Sequence, residues 1–182
     1  MTKVAIGLRA QKGGAVTVAL ALAADGPRLL LSSFLPTAAE GDRLAFEPYA
    51  VASEMPLAEA AAAVAEGRKR QDEMAAQGLR AIISQLEEKP VAVALIVNRA
   101  GWITDLLSYS REWAEHIPVA EGLAVRETLR FAVRQCGLKL VELDEKSLPD
   151  PVEHLKALGK VTAKPWRKEQ KLTCVAAWVA AT

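Results

Sequence analysis

Two stretches of this chain hold residues whose chemistry a ligand could use. The first runs from Lys156 to Lys171. Lys156, Lys160, Lys164, Arg167, Lys168 and Lys171 cluster there around TAKPW, and Glu169 is the only acid between the ends. Closely spaced cations neutralise phosphates and release condensed counterions, and Trp166 offers an indole face on which a base could stack. A solvated helix end has the same composition, so the pattern points towards nucleic acid without requiring it. The second stretch is Asn98–Arg99, the polar end of the apolar run Pro90–Val97. In open α/β sheets ligands gather at the carboxyl ends of the strands.

Other chemistry-bearing residues lack partners. Ser32, Ser33 and Ser108 have no neighbouring Lys or His to activate a hydroxyl. The two cysteines, Cys136 and Cys174, form no CxxC or Cys/His metal spacing and read as packing thiols in a reducing compartment. His116 is placed at the end of one helix and His154 at the start of another, outside any catalytic constellation. Glu59, Glu66 and Glu73 share a helix face, and Asp25 and Asp42 fall in turns and loops. All five read as solvated surface.

The elements that must position these residues follow from periodicity. PVAVALIVNR, Pro90–Arg99, reads as a strand buried on both faces and as the centre of a layered domain. Lys3–Arg9, Val16–Ala23 and Arg28–Leu35 read as three strands of an antiparallel meander, turned at Gln11–Gly14 and Asp25–Gly26. Pro36–Ser53 reads as a connecting excursion pinned by Phe46 and Tyr49. An Ala-rich helix from Pro56 to about Lys89 carries the charged run GRKRQDE, read as a solvated face. Helices over Thr104–His116 and Ala120–Gln135 are separated at Pro118. Gly137 stops the second, Leu138–Leu143 is a strand, SLPDP caps the next segment, and Trp166–Ala181 is the final helix.

At 182 residues the chain suits one domain, and 51% hydrophobic residues, largely alanine, favour closely packed helices. A formal charge of +1 leaves nucleic-acid binding to a local patch. With no cationic start leading into an apolar segment and no membrane-length run, the expected setting is cytoplasmic, with no membrane.

LRAQKGGAVTVALALA resembles the opening of Walker-type partition ATPases. That family needs a second Lys followed by Ser or Thr to cradle phosphates, whereas Ala15 and Val16 stand here. A degenerate P-loop protein is therefore only an alternative. Taken whole, the order β-β-β-α-β-α-β-α resembles the ribonuclease-H-like superfamily, in its RuvC-like Holliday-junction-resolvase branch. Three stretches carry the likeness. They are VAIGLR…GGAVTVALAL, QGLRAIISQLEEKPVAVALI, and EGLAVRETLRFAVRQCGLKLVEL with HLKALGKVTAKPWRKEQKL.

The resemblance implies an α/β fold with a five-stranded mixed sheet and helices packed on its faces. It also implies nucleases that hold two metal ions on carboxylates at the strand ends. The matching positions depart from that pattern. After Ile6–Gly7 come Leu8 and Arg9, the window Leu95–Asn98 has no acid, and the final helix offers Lys171, Thr173 and Ala176 with Glu169 near its start. Arg9, Asn98 and Arg99 thus form a strand-end site without metal ligands. The expected protein is a non-catalytic binding or assembly module with no cofactor. Its expected partners are nucleic acid through Lys156–Lys171, a protein, or a second copy. The alternative enzyme is a divalent-metal nuclease, or another nucleotide-processing enzyme, with relocated acids.

Overall fold

Lys3–Pro36 folds as a meander because two short turns supply the backbone conformations that hairpins need. Strand β1 (Lys3–Gln11) turns through Lys12–Gly13 into β2 (Gly14–Ala23), and β2 turns through Ala24–Asp25 into β3 (Gly26–Pro36). Gly13 and Gly26 have φ of 83° and 122°, a region that glycine enters without a Cβ penalty. The strand starting at Gly14 excludes a P-loop, which would begin a helix there. One irregularity interrupts the β2–β3 ladder. Leu20 pairs with Leu29 and Ala19 with Leu31, so Leu30 has no partner in β2. The structure is a computed structural model, and it describes residues 1–98 and 100–182.

The sheet runs β3-β2-β1-β4-β5. Strand β4 (Ala92–Val97) lies parallel between β1 and β5 (Leu140–Asp144), buried on both faces as its apolar run predicts. The middle strand is nevertheless β1, which pairs antiparallel with β2 and parallel with β4. The meander adds two strands beyond β1, and this displaces β4 from the centre.

Each face of the sheet has its own cover. Ile6, Leu8, Val93 and Leu95 pack against Leu79 of α3 (Leu57–Ser84) and against Leu129 and Val133 of α5 (His116–Gln135). Ala5, Val18, Leu20, Ala94 and Ile96 face α7 (Lys168–Ala181), which supplies Cys174, Val175, Ala176 and Ala177. Small residues let α7 approach closely. A Cβ built on Gly7 would stand 2.1 Å from the Thr173 carbonyl oxygen, so only glycine fits there.

The segment after β3 is more ordered than its punctuation predicts. It forms α1 (Arg43–Phe46), capped by Asp42, and α2 (Pro48–Ser53), which opens on proline. Both dock on α3, where a Cβ on Gly67 would meet the Leu44 carbonyl oxygen at 2.5 Å. The charged run of α3 is therefore only partly solvated. Gln71 is fully buried and donates to the Ala45 carbonyl at 2.7 Å, and Arg68 reaches Glu127 at 3.0 Å. Glu59, Glu66 and Glu73 are exposed, as expected.

Beyond β4, α4 (Leu106–Glu112) is capped by Asp105, and α5 begins at His116. The break falls at Trp113–Glu115, and Pro118 lies in the first turn of α5, where a missing N–H costs little. His116 therefore starts a helix, and His154 ends α6 (Pro151–His154), the reverse of the sequence reading. The His116 ring stacks on Tyr109 at 3.8 Å. Among the described residues, no helix is long and apolar enough to cross a membrane.

Ile96, 3% exposed between β1, β5 and α7, should cost about 2–5 kcal/mol when changed to alanine, because a cavity opens in a packed strand. Exposed Arg28→Glu should stay within about 0.5 kcal/mol. Urea melts of both variants check this.

Glu121 of α5 generates a second prediction. Its Oε1 accepts from the backbone N–H groups of Tyr49 and Ala50, both at 2.9 Å, while its Oε2 is buried without a hydrogen-bond partner. Burial raises its carboxyl from 4.5 to about 7, with the two N–H donors opposing. The folded protein thus retains a proton that the unfolded chain releases as pH rises from about 4.5 to 7. Stability contributed by the protonated form is present at low pH and lost as pH climbs through that window. Urea stability should fall between about pH 5 and pH 8, and Glu121→Gln, which still accepts from both N–H groups, should flatten the profile.

Candidate nucleic-acid interface

The carboxyl ends of β1, β4 and β5 bring together guanidinium groups interleaved with carboxylates. Side chains alternate along a strand, so Arg9 shares the α7-facing side of β1 with Gly7. Its Nη2 donates to Glu145 Oε1 at 3.4 Å, from the 3₁₀ turn Glu145–Ser147 that follows β5. Arg126 of α5 donates from Nη1 to Asn98 Oδ1 at 2.6 Å. Arg130, one turn later, pairs with Glu142 of β5. Asp144 accepts from the backbone N–H of Lys146 at 2.9 Å. The Nε groups of Arg9 and Arg126 are both buried with no hydrogen-bond partner.

These charges act on one another. Burial lowers the pKa of Arg126, and the neighbouring Arg130 and Arg9 lower it further, while Glu145 and Glu142 oppose them. Arg126 thus bonds Asn98 and stands within electrostatic range of Arg9, which itself bonds Glu145; Arg99 lies outside the described residues. Sequence reading missed Arg126, Arg130, Glu142 and Glu145. The spacing of Arg126 and Arg130, four apart on one helix face, was the available signal.

At the positions where the resemblance would place metal-binding acids, the side chains present do not suit a divalent cation. Leu8 and Leu95 are fully buried towards α3 and α5, and Ile96 is buried towards α7. On α7, Ala176 is buried and the Thr173 hydroxyl donates to its own helix at Glu169 O, 2.7 Å away. Arg9 would repel a cation at this edge. Among the described residues, no group of three or more His, Cys, Asp or Glu side chains is placed to hold a metal ion.

The basic segment takes shape from apolar anchors. Leu155 is buried against the α7 face of the sheet, and Trp166 is half-buried against the same cluster. The Ser32 hydroxyl of β3 donates to the Pro165 carbonyl, and Arg167 N–H donates to Gln170 Oε1 at 3.0 Å as α7 begins. Trp166 therefore separates two shallow concavities. Lys164, Pro165 and Arg167 line one with it, and Leu155, Lys156, Val161 and Lys171 contribute to the other. Lys160, Lys164, Arg167 and Lys168 are exposed, and Lys171 is half-buried. Lys156 is exposed but paired with Glu153 at 2.8 Å, which offsets its charge.

The nucleophile candidates stay dispersed. The Cys174 thiol is pushed up to about 12 by burial, and burial also raises Cys136. Ser108 donates to Asp105 at 2.8 Å, a capping contact at the start of α4.

Neither a protein-family model nor a curated protein sequence matches this chain. Solved structures do. Thermus thermophilus RuvC in complex with Holliday junction substrate aligns with a TM-score of 0.55 and 11% identity, covering 96% of this chain and 90% of RuvC. A second Thermus thermophilus RuvC structure gives 0.51 and 10% over the same shares. The yeast mitochondrial Holliday junction resolvase Ydc2 gives 0.50 and 11%, over 97% of this chain and 75% of Ydc2. The chain has the ribonuclease-H-like α/β fold in the arrangement found in RuvC-type resolvases.

Proposed function

We propose that this chain is a single-domain, non-catalytic ribonuclease-H-like module that contacts nucleic acid through Lys156–Lys171. The observation that carries the reading is the exposure of Lys164, Arg167 and Lys168 around half-buried Trp166. With a formal net charge of only +1, affinity for phosphates must come from local patches of this kind. The fold likeness to resolvases, one of them bound to Holliday junction substrate, supports junction DNA as a probe beside duplex and single strands.

Binding should weaken steeply with salt. Replacing Lys164, Arg167 and Lys168 together with Gln should reduce the log–log salt slope by up to about three. Trp166→Ala should cost about 1–3 kcal/mol on single strands where the ring stacks on a base. Because part of that ring is packed, thermal stability should fall as well. Fluorescence anisotropy at several salt concentrations measures both effects. Absence of binding at low salt would leave a protein partner or a second copy as the better occupant.

A metal-dependent nuclease with relocated acids is the second reading, favoured by Glu142 and Glu145 at the end of β5. Both carboxylates are engaged by arginines, which disfavours a shared cation. Purified protein should show no cleavage of junction, duplex or single strands with magnesium or manganese. Turnover abolished by Glu142→Gln or Glu145→Gln would install the second reading instead.

A further inference from the structure

The end of the sheet that suits no divalent cation suits the opposite charge. The geometry points to a phosphate-binding site at the carboxyl ends of β1 and β4, in which Arg9 and Arg126, with Arg130 beside them, hold a phosphate group directly on their guanidinium groups. In a two-metal nuclease, ions bridge protein carboxylates to the phosphate. With arginines at the strand ends no bridge is needed, because a guanidinium fork matches two phosphate oxygens by itself.

Several observations carry the assignment. Arg9 makes one long contact, 3.4 Å to Glu145, and its side chain remains 31% exposed. Arg126 is held by Asn98 through Nη1, and neither arginine's buried Nε has a partner. Arg126 also feels the repulsion of both other arginines, which an anion between them would relieve. The local acids leave room for that anion. Glu142 is committed to Arg130, and Glu145 holds Arg9 only loosely. Glu145 is thus the internal competitor that a phosphate would displace. The site stands apart from the Lys156–Lys171 segment, and only its nucleic-acid form rests on the function proposed above.

The test uses nitrogen-labelled full-length protein, with the Arg Nε–H resonances assigned through Arg9→Lys and Arg126→Lys. One arm adds inorganic phosphate, and the other adds a single-stranded oligonucleotide without terminal phosphates. Both Nε–H resonances should shift in at least one arm. A shift with the oligonucleotide alone identifies a backbone phosphodiester, and a shift with inorganic phosphate alone identifies a free phosphate. Arg9→Gln should weaken the responding ligand about tenfold, the scale of a charge-assisted hydrogen bond. Glu145→Gln should tighten it about threefold, a gain that no loss of folding can imitate.

Resonances unmoved in both arms, or an affinity indifferent to Arg9→Gln and Glu145→Gln alike, overturn the assignment. Oligonucleotide binding that leaves the Nε–H resonances still refutes this site and spares the basic segment. A phosphate response without any oligonucleotide binding does the reverse.

Discussion

The contact between Gly7 and the Thr173 backbone fixes how α7 lies on the sheet. A side chain on Gly7 would enter the Thr173 carbonyl, so the helix rests on β1 at backbone distance. Everything on that face follows from this closeness. Ala5, Ala94, Ala176 and Ala177 are the residues that fit so narrow an interlayer. Trp166 and Leu155 join the cluster of Val18 and Leu20 on this face, while Lys164, Arg167 and Lys168 are exposed. Two residues beyond Gly7 the helix no longer covers the strand fully, and Arg9 emerges part-exposed.

The strand ends carry charges of both signs. Converging carboxylates repel one another until a cation joins them. Here arginines from β1 and α5 alternate with acids from β5 and its following turn, so much of the charge is compensated within the chain. The compensation is uneven. Arg130 meets its acid closely, whereas Arg9 and Arg126 each keep a buried Nε without a partner. Fold likeness alone says nothing about which sign of ligand such an edge accepts; the side chains decide it.

Much of the fold was legible in the sequence because its signals are local. Asp25–Gly26 and Lys12–Gly13 announce turns, and the apolar run at Ala92–Val97 announces a strand buried on both sides. What escaped was tertiary. Gly67 looks like a break in a helix, yet it is the place where Leu44 approaches. Gln71 sits in a charged run and is buried because Ala45 offers it a carbonyl. The middle rank of β1 depends on strand order, which periodicity does not encode. The candidate site was half visible in the same way. Arg9 and Asn98 stand at strand ends, but Arg126, Arg130, Glu142 and Glu145 reach them only after α5 and β5 have packed.

The unpaired Leu30 has a consequence for the border of the sheet. Strand β3 is long, carries exposed Leu30 and Phe34, and among the described residues has no neighbouring strand on its outer side. A straight border of that kind templates the addition of foreign strands. The extra residue at Leu30 bends the ladder and breaks its periodicity near the middle, so an incoming strand would find matching donors and acceptors over only part of the length. The irregularity that interrupts pairing inside the molecule thus also works against strand addition at β3.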